Sequence, residues 1–583
     1  MSSDYDVVVI GSGFGGSVSA LRLTEKGYRV AVLEAGRRFA DEDFPRTSWD
    51  IRKFLWAPKF GCKGIQRVHV LPDVVVLAGS GVGGGSLVYA NTLYEPKSSN
   101  FYDDRQWAHI TDWRAELAPY YDQAERMLGV RPNPTLTPAD ELMREVAEDM
   151  GVGESFSMAP LGVFFGRGEV KEPSVTVADP YFGGAGPART GCIECGGCLT
   201  GCRYGAKNTL VKNYLYLAEQ AGTAVYAERT VTRVEPMPQG GYEVTAVETG
   251  AWLSARTAVT FTADQVIFAA GTWGTQQLLH RLKADATLPG ISDRLGALTR
   301  TNSEALVGVT TKMRNRKKYD FTRGVTITSS IHPDEHTHIE PNRYAKGSNA
   351  MGLMATVMTD GGGRFPRWVT WIGQVLRHPG HLASLYLGIR HMSERSIIAL
   401  VMQTHDNSLT LYTKKRFGRI RVTSRQGHGT PNPTWIPVAN EVMRRAAEKI
   451  DGFPMGTVGE IFDVPLTAHF LGGCVIGESP EDGVIDAYHR VFGHPGLHVV
   501  DGAAVSANIG VNPSLTITAQ AERALSLWPN KGESDTRPPL GSPYQRVAAV
   551  APTAATVPAH SSAALRLPIT AVGVESRCHQ EQK

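Results

Sequence analysis

The segment from Asp6 to Glu34 constrains this chain more than any other stretch. A β-branched run, Val7-Val-Val-Ile10, leads into Gly11-Ser-Gly13-Phe-Gly15-Gly16, and Ser17 to Lys26 then has the pattern of a helix that stops at Gly27. A second apolar strand, Arg29-Val-Ala-Val-Leu33, ends at the acid Glu34. Strand, glycine turn, helix, strand and terminal acid in that order make a dinucleotide-binding unit. Gly11 permits the tight turn, Gly13 lets backbone approach a pyrophosphate, and Gly16 lets helix and strand pack closely, with the helix N-terminus facing phosphate charge. Glu34 is placed to accept hydrogen bonds from a ribose, and an acid there argues against a 2'-phosphate.

Two further segments decide which dinucleotide is held. Ala78-Gly-Ser-Gly-Val-Gly-Gly-Gly-Ser-Leu-Val-Tyr-Ala-Asn91 is a second glycine-rich loop, where bare backbone can press against a flat ring system. Gln265-Val-Ile-Phe-Ala-Ala-Gly271 is an apolar strand that closes on a glycine and enters a helix. With these blocks in place the chain resembles the glucose-methanol-choline (GMC) oxidoreductase family, and within it the sterol-oxidising bacterial members, from Tyr5 to about Leu527. The resemblance implies FAD, held by Gly11, Gly13, Gly16, Glu34, Gly85, Val231, Asp501 and Gly502. Two positions depart from the family pattern. Tyr89 stands where many relatives carry Asn, and Gln276 replaces a frequent Pro; Asn91 is expected to take over the amide role.

The implied fold class is α/β and α+β: a Rossmann-like FAD-binding domain assembled from discontinuous segments (1–105, 191–300 and 460–528), with a substrate domain (106–190 and 301–459) built on a large sheet roofed by helices. From 529 to 583 the composition turns to Ala, Pro, Ser and Thr, which predicts a flexible tail that cannot bury enough surface to offset its ordering entropy, with Cys578 incidental.

Three late segments, Thr467-Ala-His469-Phe-Leu-Gly472-Gly473, Leu497-His-Val-Val-Asp501-Gly502 and Gly510-Val-Asn512-Pro513, resemble the family's active-site block. Alcohol oxidation by a flavin needs a base for the hydroxyl proton while hydride leaves carbon. An imidazole with an ordinary pKa near 6.5 suits that task. His469 is the expected base, Asn512 the polar group that fixes substrate or flavin, and Gly472-Gly473 would allow backbone to approach the ring. Sterol-oxidising relatives also shift a ring double bond, which needs a carboxylate. Glu340, in His336-Thr-His338-Ile-Glu340, is the nominee, and an ordinary solvated loop acid is the competing reading.

Cys192, Cys195, Cys198 and Cys202 have the C-x2-C-x2-C-x3-C spacing that clasps an iron-sulfur cluster in ferredoxins. A structural zinc or small residues packed beside the cofactor would use the same side chains. A cluster would pass electrons from another bulky alcohol to a carrier, as in the family's dehydrogenases. Free thiols would leave oxygen as acceptor and hydrogen peroxide as product. A flavin-binding redox module without turnover is the third reading.

With 60 Lys and Arg against 57 Asp and Glu, the chain has no basic excess for nucleic acid. Crowding of four of its seven cysteines into one short stretch argues against a disulfide scaffold. The first strand starts almost at once, with no leader pattern ahead of it, and no window reaches roughly 18 apolar residues, so a cytoplasmic protein is expected. Phe365 to His378 and Leu382 to His391 mix Trp, aliphatic and basic residues at helical spacing. They could roof the active site, rest on a lipid surface, or both.

Overall fold

The computed structural model describes residues 3–251, 257–416 and 418–566. The expected dinucleotide unit forms the centre of a seven-stranded sheet. Strands Ala224–Tyr226, Val30–Leu33, Tyr5–Ile10 and the end of Ala258–Phe268 run parallel in that order, and Leu497–Val499 joins beyond. The long strand Ala258–Phe268 serves twice. Its first half pairs antiparallel with Tyr242–Glu248, which pairs with Arg229–Pro236, and its second half enters the parallel sheet. Val7, Val8 and Val9 are fully buried because both faces of a parallel sheet are covered.

Helices Phe14–Glu25 and Ser514–Ser526 lie side by side on this sheet. Their contact carries a buried ion pair: Arg22 donates from Nε and Nη2 to the two carboxylate oxygens of Glu522, both at 2.8 Å. Tyr214 Oη donates to the same carboxylate at 2.6 Å. A charge this deep is tolerable only when its hydrogen-bonding sites are filled. The segment leading into the second helix, which carries Asn512, is thereby anchored to the cofactor sheet.

A second, antiparallel sheet has the order Thr337–Asn342, Ser396–Gln403, Ala305–Thr311, Gly452–Thr457, Ala355–Val357. Helices Pro138–Asp149 and Pro437–Lys449 cover one face, where Ile339, Val401, Val307 and Val309 meet Leu142, Met143, Val442 and Met443. This is the expected sheet roofed by helices, and the mixed α/β class holds. Alternation turns the neighbouring residues to the other face. Glu340 pairs with Leu400, and Leu400 with Leu306, so the three form one cross-strand row.

The stretch from 529 departs from its expectation. As far as 566 it lies along the body: Lys531 Nζ donates to Asp6 Oδ2 at 2.7 Å, Thr556 N to Glu25 Oε1 at 2.8 Å, and Arg126 Nη1 to the Ala564 carbonyl at 2.6 Å. Val557, Ala563 and Ala564 are buried in the main core. Few apolar residues are needed when the backbone finds partners on a ready-made surface. Residues 567–583, including Cys578, lie outside the described residues.

Candidate active site and flavin cradle

A cavity of about 650 Å³ runs between the two sheets. One end is walled by Gly11, Gly13, Glu34, Gly85 and Val231, and the other by His469, Asn512, Leu306 and Leu400. Asp501 and Gly502 line it between helix and sheet. Gly11 has φ +104°, and a Cβ there would stand 2.3 Å from the Ala269 carbonyl oxygen, so the turn requires glycine. Gly16 is away from the cavity wall and works by packing: a Cβ would meet the Gly11 carbonyl at 2.0 Å.

Glu34 is held ready by its neighbours. Ser12 donates from N and Oγ to Oε2 at 3.1 and 2.8 Å, and Gly36 N donates to Oε1 at 2.7 Å. Arg37 Nε and Nη2 and Arg67 Nε are buried with no hydrogen-bond partner. Arg67 lines the cavity, and burial lowers its pKa against the raising effect of Glu34. The unpartnered Arg67 donor, beside bare backbone and a ribose-type acid, fits a bound dinucleotide whose pyrophosphate or hydroxyls would complete it, whereas Arg37 does not line the cavity and stacks on the Phe39 ring. Neither arginine stands out in the sequence, because nothing in the spacing marks which surface-type residue will be drawn inward.

Asn91, expected to assume an amide role, is buried at φ +73° with both side-chain polar atoms unpartnered, but it does not line the cavity. Tyr89 lines the cavity with its hydroxyl already engaged: it donates to the Asn208 carbonyl at 3.0 Å, and its ring packs edge-on against Phe14. Gln276 explains its own departure from Pro. Its Nε2 donates to the Gly472 carbonyl at 3.0 Å, and a Cβ on Gly473 would strike this amide at 2.2 Å. Gly473 therefore makes room for Gln276, Gly472 lies against the Leu298 carbonyl, and neither faces the cavity, a correction to the expected approach to the ring.

His469 follows the short strand Leu466–Thr467, which pairs parallel with Val75–Gly79. Its Nδ1 lies 3.0 Å from Glu304 Oε2. Glu304 also accepts from Thr467 Oγ1 at 2.8 Å and from Ala468 N at 3.0 Å, and Thr467 Oγ1 accepts from His469 N at 2.9 Å. Burial lowers the imidazole pKa, but the charges of Glu304 and Glu340 outweigh it and leave the pKa above its ordinary value. Two residues earlier in the same turn, Asn302 donates from Nδ2 to the Val511 carbonyl at 2.8 Å and accepts from Gly510 N at 2.7 Å. One turn, 301–304, thus holds the loops of both His469 and Asn512. Sequence reasoning missed Glu304, since an acid opening an apolar strand usually marks a solvated strand end.

Asn512 donates from Nδ2 to Glu340 Oε2 at 3.1 Å, and its Oδ1 is buried without a partner. Glu340 is fully buried, which removes the solvated-loop reading. Burial raises its carboxyl pKa to about 8, against the opposing pull of Asn512 and His469. On its other oxygen it meets His338 Nε2 at 3.1 Å.

The four clustered cysteines stay near one another without forming a ligand set. Cys195 is exposed, while Cys192, Cys198 and Cys202 pack against the main core as partly buried side chains. Burial raises the thiol pKa of Cys192, and that of Cys195 to about 11. Among the described residues no group of three or more His, Cys, Asp or Glu side chains is arranged to hold a metal. The residues do not fit the iron-sulfur cluster or zinc that their spacing suggested.

A dinucleotide sheet, an acid-tipped glycine cradle and a buried imidazole facing the same cavity define a flavin-dependent oxidoreductase. Residues 6–342 match the model of FAD dependent oxidoreductases and residues 414–521 that of GMC oxidoreductases. The chain belongs to the GMC oxidoreductase family: it is an enzyme acting on CH–OH groups, and its cofactor is FAD. It is 61% identical to a cholesterol oxidase of Mycobacterium tuberculosis over 578 residues, 98% of this chain and 99% of the relative. A cholesterol oxidase of Acinetobacter baumannii is 44% identical over 538 residues, covering 91% and 95%. Among solved structures, pyridoxine 4-oxidase shares the fold with a TM-score of 0.53 at 17% identity, covering 89% of this chain and 98% of that one. Among the described residues no helix is long and apolar enough to cross a membrane.

Proposed function

We propose that this enzyme oxidises the 3-hydroxyl of a sterol such as cholesterol to the ketone, with oxygen as acceptor, and then moves the ring double bond into conjugation. The observation that carries this reading is the convergence of His469, Asn512 and Glu340 with the apolar row of Leu306 and Leu400. A rigid apolar substrate with one polar end needs that division. The identity to two cholesterol oxidases supports the substrate and the acceptor.

Bound FAD supplies the hydride acceptor, and its reoxidation by oxygen gives hydrogen peroxide. Gly11, Gly13, Glu34, Gly85, Val231, Asp501 and Gly502 would hold it, with Gly16 closing the helix onto the strand behind them. His469 accepts the hydroxyl proton at Nε2, and the Glu304 carboxylate beside Nδ1 stabilises the resulting imidazolium. Asn512 offers its free Oδ1 to the polar end of the substrate. Glu340, third in the row whose other members line the cavity, takes a proton from C-4 of the ketone and returns it to C-6.

Substrate would enter from a lipid surface. Helices Arg367–Arg377 and Pro379–Leu387 turn apolar side chains outward: Trp368 is 49% exposed, Leu376 76% and Leu387 86%. Arg364, Arg377 and Arg390 are exposed in the same stretch, and Leu353 and Met354 line the cavity nearby. An apolar face flanked by cations suits an anionic bilayer surface.

The deciding experiment is an absorbance spectrum of the FAD-loaded enzyme under nitrogen, before and after adding cholesterol and again after admitting air. Bleaching of the flavin band by sterol, then recovery with peroxide release, is expected. An unbleached band rejects the sterol assignment.

A further inference from the structure

The carboxylate of Glu340 does not end the hydrogen-bonded chain that begins at Asn512. The hairpin around the Ile331–Ile339 pair sets residue 332 opposite residue 338. His338 Nδ1 lies 2.9 Å from His332 Nε2, and its Nε2 lies 3.1 Å from Glu340 Oε1. Tyr94 stands edge-on to the His338 ring at 4.9 Å and donates its hydroxyl to Ser330 Oγ at 3.0 Å, so it fixes the ring without interrupting the chain. His338 is buried, whereas His332 is half-buried and next to the exposed turn at Asp334 and Glu335.

From this juxtaposition we infer that His338 and His332 form a proton conduit that lets Glu340 exchange its proton with solvent while the cavity is occupied. The inference rests on the reading of Glu340 as the isomerising base. A purely structural pair would need only one fixed bond to Glu340. Here two imidazoles stand in series, each able to accept a proton on one nitrogen and release one from the other. When Glu340 has taken the C-4 proton it is a neutral acid. Its Oε1–H passes to His338 Nε2, the His338 Nδ1 proton moves to His332 Nε2, and the outer His332 nitrogen gives a proton to water. The reverse sequence returns a solvent proton to Glu340, which delivers it to C-6. Charge and proton count are unchanged over the cycle. Burial keeps both imidazoles neutral at rest, lowering the pKa of His338 to about 3 and that of His332 to about 4, so neither traps the proton in transit.

The test is turnover of a 3-keto-5-ene steroid by the FAD-loaded full-length enzyme in heavy water, with deuterium at C-6 of the enone read by mass spectrometry. The wild type is expected to incorporate solvent deuterium. In His332→Ala incorporation falls severalfold, the rate of flavin reduction by sterol is unchanged, and free imidazole restores the label. His338→Gln, which keeps an amide beside Glu340 but cannot relay, loses incorporation that imidazole does not restore. Equal labelling in wild type and both variants overturns the conduit alone. Absence of enone in the wild type overturns the base role of Glu340 and the conduit with it.

Discussion

Glu304 Oε2 stands 3.0 Å from Nδ1 of His469, and the same carboxylate accepts the backbone N–H of Ala468 beside it. One acid thus stands beside the imidazole and raises its affinity for a proton. The pKa of His469 is raised, and the reactive form of a base is the deprotonated one, so flavin reduction climbs with pH through that raised value. In Glu304→Gln the negative charge is gone, the imidazole pKa falls, and the acid limb moves to lower pH. The plateau rate also drops by roughly tenfold or more as orientation is lost. A pH profile of anaerobic flavin reduction measures both effects.

His469→Ala removes the proposed base itself. Flavin reduction by sterol should slow about 10²- to 10⁴-fold while FAD remains bound, since His469 faces the substrate end of the cavity. Stopped-flow absorbance checks the rate, and the flavin-to-protein ratio checks retention.

Glu340→Gln should separate the two reactions. Ketone formation continues and the conjugated enone, followed by its ultraviolet absorbance, disappears. In the wild type the base form is the carboxylate, and burial raises its pKa to about 8, so isomerisation of added 3-keto-5-ene rises with pH through about 8.

Arg67→Ala deletes a buried guanidinium that has no protein partner at Nε and lines the cavity beside Glu34. A charge-assisted hydrogen bond to a phosphate or hydroxyl contributes about 1.5–3 kcal/mol, so FAD affinity should fall roughly 10- to 100-fold. Titration of the apoprotein with FAD, read by flavin fluorescence, measures it.

Trp368→Ser combined with Leu376→Ser should weaken sedimentation with phosphatidylserine vesicles. Turnover of sterol dissolved in detergent should be unchanged, because these side chains face outward.

Several features were legible because local rules suffice for them. The glycine turn ending at Glu34 needs only a left-handed backbone at Gly11 and continuous β-branched and apolar runs in its strands, and both are written in consecutive residues. That His469 and Asn512 belong to one block followed from motif context, and both line the cavity. The cysteine spacing misled for the opposite reason: spacing describes ligands along a chain, whereas the surrounding core turned Cys192, Cys198 and Cys202 into packing residues. The segment from 529 to 566 misled because composition measures what a stretch can bury alone, and this stretch uses a surface made by others.

By itself the sequence determined a dinucleotide sheet and an FAD-type cradle, each encoded in short runs whose geometry follows from neighbours in the chain. Tertiary structure alone decided that Glu304 would grip His469, that Arg37 and Arg67 would point unpartnered into the protein, and that Glu340 would stand buried between Asn512 and His338. The proton affinity of a carboxylate or imidazole depends on burial and on charges a few ångströms away, and Glu304 reaches His469, as Asn512 reaches Glu340, from more than a hundred residues along the chain.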